Sequence, residues 1–351
     1  MSLSSRLAIR IPELDQAAME TARQRQNRLT KPPGSLGRLE VLSIQVAGIT
    51  GQPQPTVERK VIVVMAGDHG VTAEGVSAYP AKVTQQMVLN FLRGGAAINV
   101  IARQVGAKVV VVDMGVASDL NPQPELVDRK VAAGTANMAL GPAMSVEQAE
   151  TALAVGMEIA ADLAGEGMHL IGTGEMGIGN TTASSAITAA LTGAPVTEVV
   201  GRGTGVDALG FARKIATVQQ ALSVNRLEAD DPIDVLAKVG GFEIAGLAGL
   251  ILGSASARIP VVIDGFITGA AALVAARLEP RSTGYMIASH QSVEIGHQII
   301  LEALGLSPLF KLDLCLGEGT GAALAMPIIE AAARLLREMA TFASAGVTDK
   351  S

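Results

Sequence analysis

Two glutamates in glycine-rich loops are candidates to do chemistry in this chain, and one of them, Glu318, lies directly between two glycines, so that neither neighbouring side chain shields its carboxylate from a substrate. Glu175 lies in Gly172-Thr173-Gly174-Glu175-Met176-Gly177-Ile178-Gly179-Asn180-Thr181-Thr182, which follows an apolar strand-like run from Met168 to Ile171 and leads into a helix of small residues. Strand, glycine loop and helix together are the layout of an anion cradle. The glycines allow tight turns and close backbone approach, and the N–H groups at the helix start favour a phosphate. Asn180, Thr181 and Thr182 are expected to cap that helix and offer side-chain donors. A carboxylate beside a phosphate repels it, so Glu175 is expected to face a sugar hydroxyl or a cationic carbon. The plainer reading is a tight turn that only joins strand to helix. Glu318, in Leu316-Gly317-Glu318-Gly319-Thr320-Gly321, is the second candidate, with a simple turn as its alternative.

Other polar residues recur at the ends of apolar runs. Lys60 to Met65 runs into Ala66-Gly67-Asp68-His69-Gly70-Val71, Ile259 to Ile263 ends in Asp264-Gly265, and Tyr285 to Ala288 ends in Ser289-His290-Gln291-Ser292. Apolar strand, then Gly with Asp, Glu or His, then helix gathers Asp68, Glu175, Asp264, His290 and Glu318 along one rim. In open α/β sheets that rim is where ligands bind. No further His lies at ligand spacing from Asp68 and His69, so a loop-ordering role is preferred to a metal pair. The run Val109 to Val112 ends in Asp113 without a second adjacent acid or a following Thr-Gly, which argues against a donor activated through Mg-pyrophosphate. A second glycine loop, Gly201-Arg202-Gly203-Thr204-Gly205-Val206-Asp207, opens a helix carrying Lys214. Gly203 and Lys214 are candidates to grip a phosphate from the other side, although a solvated basic face is an equal reading of Lys214 alone.

The elements that must position these residues are buried strands alternating with helices. Helices are expected over 13–29, Ser35 to Thr50, Ala81 to Arg93, Ala96 to Val105, Ser145 to Leu163, Ala183 to Leu191, Ala208 to about Leu222, from Gly241, and over Phe266 to Leu278, Val293 to Leu304 and Ala322 to about Met339. Ser145 and Gln148 stand in capping-box positions. Residues 116–142 read as a surface excursion, and Thr30 to Arg38, with its double proline, as either a linker or a loop laid across a ligand or partner subunit. The Gly- and Ala-rich helix after Gly241 suits close packing within a domain or a dimer.

Composition limits what such a rim can serve. The 351 residues exceed one typical domain, so a large domain with a smaller lobe is expected. Hydrophobic residues make up 49% but aromatics only 2%, with no Trp, which favours α/β layering of Ala, Val, Ile, Leu and Met over a β-sandwich. A net charge of -6 and a pI near 5.4 leave no electrostatic footprint for nucleic acid. The single Cys315 precludes an intrachain disulfide and a cysteine metal cluster, as fits a cytoplasmic protein. Met1 to Arg10 lacks the apolar core of a signal peptide, and Arg258, Asp264 and Arg277 interrupt the apolar region Ile244 to Leu278, so no membrane span is expected.

Seven segments together resemble the nicotinate-nucleotide:dimethylbenzimidazole phosphoribosyltransferase family of cobalamin lower-ligand synthesis. They are KPPGSLGRLE (31–40), AGDHGV (66–71), GTGEMGIGNTT (172–182), GRGTGVD (201–207), DGFITGAAAL (264–273), SHQSVEIGH (289–297) and LGEGTGAALA (316–325). The resemblance implies a Rossmann-like, mostly parallel sheet flanked by helices, with a small helical lobe built from sequence-distant segments. Residues 1–55 and 321–351 would supply that lobe and 56–320 the catalytic domain. It implies transfer of 5-phosphoribosyl from nicotinate mononucleotide to 5,6-dimethylbenzimidazole, without cofactor or metal, by a homodimer. It implies that Glu318 is the general base and that Glu175 lies beside the ribose. Gly174, Met176, Gly177, Ile178, Gly179, Asn180 and Thr181, with Gly203 and Lys214, would hold the phosphoribosyl group. Tyr79, Ala81, Met87, Leu89, Asp264, Ser292, Leu316 and Gly317 would hold the base, with Met176 also a candidate to line its apolar slot. Ala81 and Leu89 stand where relatives carry polar residues, and Cys315 where a larger basic residue can occur, so a shifted base preference is expected.

The residues also admit two rival classes. A nucleotide-dependent kinase would use the same cradle but needs a metal-chelating acid set and usually a P-loop, and GxxxxGK[ST] is absent. A binding or sensor protein would keep the cradle and do no chemistry, against which Glu318 stands.

Overall fold

The run Lys60-Val61-Ile62-Val63-Val64-Met65 forms strand β1 (Lys60–Gly67), buried along its whole length, and the remaining layers are built on its two faces. In this computed structural model, which describes residues 10–120, 123–203 and 205–348, Val61, Val63 and Met65 enter one apolar layer while Ile62, Val64 and Ala66 enter the other. The alternation is the period-2 pleat of a strand covered on both sides.

In chain order the helices and strands are α1 (Gln16–Arg28), α2 (Arg38–Thr50), β1, α3 (Val83–Leu92), α4 (Ala97–Val105), β2 (Ala107–Gly115), β3 (Leu126–Asp128), α5 (Val146–Gly165), β4 (Leu170–Met176) and α6 (Asn180–Thr192). They continue with α7 (Val196–Val199), α8 (Ala208–Asn225), α9 (Pro232–Val239), α10 (Phe242–Ser256), β5 (Val261–Ile263), α11 (Phe266–Leu278), β6 (Met286–Ala288), α12 (Ile295–Leu304), α13 (Thr320–Glu338) and α14 (Phe342–Ala345). The six strands are parallel in the order β3-β2-β1-β4-β5-β6. This is the doubly wound α/β order, whose winding reverses between β1 and β4 and leaves a crevice at their carboxyl ends.

Helices α5, α6, α9, α10 and α11 cover one face of the sheet, and α2, α3, α4 and α13 the other. The small residues of α10 serve packing within this chain. A Cβ at Gly253 would lie 2.7 Å from Ala160 Cβ and 2.9 Å from Met157 Cα of α5, and one at Gly246 would lie 2.7 Å from both Met65 Sδ and Met114 Cε. Glycine at these sites lets the helix axes approach closely. The two ends of the chain also meet. Ala22, Ala47 and Leu336 of α1, α2 and α13 share a small apolar cluster, and Arg25 donates to the carbonyls of Leu336, Arg337 and Met339, satisfying the end of α13.

Several boundaries differ from those expected. Helix α2 starts at Arg38 rather than Ser35, because Gly37 at φ 53° breaks the chain before it. The proline loop in front of it is tied to its own chain: Lys31 Nζ and the Leu36 N–H both donate to Glu40 Oε1, at 2.7 and 3.0 Å. The 116–142 excursion contains β3, paired with β2 over three residues. Helices α7 and α9 were not anticipated, although Asp231 followed by Pro232 is a helix-start signal, and Asp231 does cap α9. The largest shift is in β4. It continues through Gly172, Thr173, Gly174 and Glu175, so half of the presumed loop is strand. Residues 1–9, Asn121, Pro122, Thr204 and 349–351, which carry part of the N-terminal, excursion and second-loop expectations, lie outside the described residues.

Candidate active site

The carboxyl ends of β4, β5 and β6 open into a cavity of about 380 Å³, lined by Glu175, Met176, Gly177, Ile178, Asn180 and Thr181 from the first cradle. Asp264, Phe266 and Thr268 come from the β5 end, His290, Ser292 and Glu294 from the β6 end, and Cys315, Leu316, Gly317 and Glu318 from the last loop. Tyr79, Val83 and Met87 close one side and Gly203 another. Tyr79, Val83, Met87, Met176 and Leu316 therefore give the cavity an apolar wall, and four carboxylates, Glu175, Asp264, Glu294 and Glu318, face the same space.

Glu318 occupies the left-handed region at φ 61°, between Gly317 at 86° and Gly319 at 92°. A non-glycine residue held there costs on the order of 1 kcal/mol, so its neighbours must over-determine it. They do. Asp264 Oδ1 accepts from the Ala322 N–H at 2.9 Å and Oδ2 from the Gly319 N–H at 3.3 Å. Helix α13 lacks a cap from Gly319 itself, and Asp264, 1% exposed, supplies a substitute from across the sheet. Among the described residues the Glu318 carboxylate takes one hydrogen bond, from the Ile98 N–H at the start of α4 to Oε2 at 3.1 Å, which leaves Oε1 for a substrate proton.

Glu175 is held differently. Asn180 is the first residue of α6 rather than its cap, the cap position being Gly179, and Asn180 Nδ2 donates to Glu175 Oε2. Burial, with Asp264 and Glu243 nearby, pushes the Glu175 carboxyl up to about 8 despite that hydrogen bond. Burial raises Asp264 to about 7 against three backbone N–H donors, and burial also raises Glu318 while the Ile98 N–H opposes it. Glu175 and Asp264, this close and this dry, do not both ionise readily and hold protons near neutral pH. His290 is pushed down to about 4 by burial and stays neutral, stacked on Phe310 with ring centroids 6.0 Å apart.

The expected site residues divide accordingly. Glu175, Met176, Gly177, Ile178, Asn180, Thr181 and Gly203 share the cavity wall with Tyr79, Met87, Asp264, Ser292, Leu316, Gly317 and Glu318. Five others do not reach it. Gly174 is a strand residue beneath the Glu318 backbone, and Gly179 turns its Cα toward Thr72 and His69. Lys214 stands fully buried behind the wall, its Nζ donating to Thr181 Oγ1 at 2.8 Å and to the Gly201 carbonyl at 3.3 Å. Burial pulls that ammonium down to about 8, with Glu294 acting against the shift. Ala81 sits in the turn before α3, and Leu89 packs into the apolar layer on the other side of that helix.

Asp68, expected on the rim, is also displaced. Its Oδ2 accepts from the Ala117 N–H at 2.8 Å and its carbonyl from the Thr135 N–H at 3.0 Å, so it orders loops beyond β2. Among the described residues no cluster of three His, Cys, Asp or Glu side chains is arranged to hold a metal ion. Val83, Phe266, Thr268 and Glu294 line the cavity without having been singled out. Val83 precedes Met87 by one helical turn, and Phe266 follows the acid at the end of β5, so both were within reach of periodicity.

A family model described as Phosphoribosyltransferase (DBI_PRT) matches residues 11–347. The chain is 61% identical over 340 residues to a nicotinate-nucleotide–dimethylbenzimidazole phosphoribosyltransferase of Chloroflexus aurantiacus, covering 97% of each chain. It is 59% identical over 350 residues to the enzyme of the same name from Chloroflexus aggregans, covering 100% of this chain and 99% of that one. Among solved structures, CobT from Thermus thermophilus superposes with a TM-score of 0.92 at 51% identity, covering 95% of this chain and 100% of that chain.

Proposed function

The chain belongs to the DBI_PRT phosphoribosyltransferase family, and from that premise we propose that it transfers the 5-phosphoribosyl group of nicotinate mononucleotide to 5,6-dimethylbenzimidazole, in cobalamin synthesis. The observation that carries this reading is the convergence of Glu175, Asp264 and Glu318 with the Gly177–Thr181 turn on one cavity that also has an apolar wall.

The chemistry follows from the donor. Its nicotinate is bonded to C1′ as a pyridinium, so it departs with the bonding pair as a neutral ring nitrogen and needs no proton. One nitrogen of the benzimidazole forms the new bond to C1′ while Glu318 Oε1 takes the proton from the other, which keeps charge off the nucleophile. Attack opposite the leaving group inverts the β-linkage and gives α-ribazole 5′-phosphate and nicotinate. The carboxyls that crowd one another in the site meet a cation when the donor or an oxocarbenium-like C1′ is present. Glu175 and Asp264 then supply negative potential where positive charge develops.

The phosphate is assigned to the N-terminal end of α6, with Thr181 and Gly203 in front of Lys214, and the base to Tyr79, Met87, Met176 and Leu316. A small lobe from residues 1–55 and 321–351, set against a catalytic region 56–320, is supported by the shared cluster of α1, α2 and α13. A homodimer is proposed with it and is testable by sedimentation velocity. No helix among the described residues is long and apolar enough to cross a membrane, and the cytoplasm is the proposed compartment.

The deciding experiment is mass-resolved product formation from nicotinate mononucleotide and 5,6-dimethylbenzimidazole by wild type and Glu318→Gln. A fall of ~10²-fold or more in the variant is the size general-base catalysis allows. Wild-type turnover with a different base only would change the acceptor, and no turnover with any base would leave a binding protein.

A further inference from the structure

The mechanism leaves the Ala66-Gly67-Asp68-His69-Gly70-Val71 motif without a task, although it carries a buried histidine next to the cavity floor. His69 Nε2 lies 2.6 Å from Glu243 Oε1, with side chains 1% and 0% exposed. Glu243 is the second residue of α10, and its other oxygen, Oε2, is buried without a hydrogen-bond partner. A buried imidazole–carboxylate pair of this kind is a poor way to gain stability, since apolar side chains of similar volume do as well or better. Its position is more informative. A Cβ at Gly177 would lie 2.4 Å from the Gly67 carbonyl oxygen and 3.4 Å from both His69 Nε2 and Glu243 Oε1, and a Cβ at Gly179 would lie 3.2 Å from His69 Cβ and 2.9 Å from Thr72 Cγ2. The two glycines bracket Ile178, whose N–H donates to Thr84 Oγ1 at 3.1 Å. Gly177 and Ile178 line the cavity on their upper side. The turn is therefore a single layer of backbone, with the imidazole and carboxylate beneath it and the cavity above.

We propose that His69 and Glu243 form a positioning pair that sets the height and angle of the Gly177–Gly179 turn under the phosphoribosyl end of the donor. Neither side chain touches substrate; they act by packing against the backbone of the two glycines from beneath. The assignment rests on the phosphoribosyl-transfer reading above. Because the acceptor base sits on the Tyr79, Met87 and Leu316 wall, loss of the pair is expected to weaken use of the donor and spare the acceptor.

The test measures kcat and KM for nicotinate mononucleotide, and KM for dimethylbenzimidazole, in wild type, His69→Gln, Glu243→Gln and the double variant that combines them. Thermal melting accompanies each. Misplacing reacting groups by about 1 Å costs on the order of 10²-fold, so each single variant is expected to lose about that in kcat/KM for the mononucleotide. KM for the base should stay within about twofold. The double variant replaces the imidazole–carboxylate contact with two neutral amides that can hydrogen-bond to each other and is expected to recover about tenfold of the loss. Glu243→Gln is nearly isosteric and decides the matter if His69→Gln does not fold. Folded single variants with wild-type kinetics, equal losses for both substrates, or no recovery in the double variant would each overturn the proposal. An inactive wild type would remove the transfer reading itself, an outcome that the wild-type control separates from all the others.

Discussion

Gly174 lies directly beneath the backbone of Glu318, so close that a Cβ at position 174 would sit 2.5 Å from the Glu318 carbonyl oxygen and 3.1 Å from the Gly319 nitrogen. The two glycine-rich motifs therefore meet through the absence of a side chain. Gly174→Ala is expected to lift the Glu318 turn while leaving β4 paired, since alanine is compatible with a strand. A fall in kcat of roughly 10²-fold, with a wild-type circular dichroism spectrum, is the expected result. Unchanged kcat would show that the turn has slack that its left-handed backbone does not reveal.

That contact also marks how far the sequence could be read. The parallel sheet, the helix over Phe266–Leu278 and the capping box at Ser145 follow from buried β-branched runs, periodicity and cap chemistry, which are local signals. The uses of individual glycines are not local. Gly172 and Gly174 looked like turn residues, but they are strand residues whose neighbours come from Ile62, Met326 and Glu318, far away in the chain. The partner of His69 stands 174 residues away, and no spacing rule points to it. Glu175 and Glu318 could be singled out because each lies in a glycine-rich stretch between an apolar run and a helix. The placement of Lys214 behind the wall, rather than on it, depends on how α8 packs against α6.

Glu175 gives a pH dependence with a definite sign. Its carboxyl is held at about 8 in the folded chain against an ordinary value of 4.5. Between those values the unfolded chain loses this proton and the folded chain keeps it, so the contribution of Glu175 to stability declines as pH rises from about 4.5 to about 8. Glu175→Gln keeps an acceptor for Asn180 and cannot ionise. Its Tm relative to wild type is expected to climb across that window, by ~2 °C or more at pH 8. Melting curves at pH 5, 6.5 and 8 check this, and a constant offset would mean that Glu175 ionises normally in the fold.

Lys214 tests the phosphate assignment. Its ammonium donates to Thr181 Oγ1, and Thr181 and Gly203 stand between it and the cavity. Hydrogen bonds to charged groups are worth ~1.5–3 kcal/mol, so Lys214→Met is expected to raise KM for nicotinate mononucleotide by about 10- to 100-fold and leave KM for the base unchanged. The ammonium is held down near 8, so it loses charge as pH rises through that value. Wild-type KM for the mononucleotide should accordingly rise between pH 7 and 9, while that of Lys214→Met stays flat. Steady-state kinetics with each substrate varied in turn distinguish these outcomes.

The acceptor wall makes a prediction about selectivity. Tyr79, Val83, Met87, Met176 and Leu316 present apolar surface to the cavity, and two of the five are methionines, whose unbranched chains adapt to more than one ring shape. Such a wall rewards methyl groups without demanding one hydrogen-bond pattern. A missing methyl or methylene in an apolar slot costs ~1–3 kcal/mol, so 5,6-dimethylbenzimidazole should outcompete unsubstituted benzimidazole by about tenfold or more when both vie for a limiting pool of donor. Adenine, with polar edges and no methyls, should compete more weakly still. Met176→Ala removes part of the surface that a methyl would touch and is expected to erode the ratio while leaving turnover of benzimidazole itself nearly unchanged. Mass-resolved product ratios read this directly. A wild-type ratio near one, or a ratio that Met176→Ala does not move, would place the methyl groups away from this wall and send the base to a different part of the cavity.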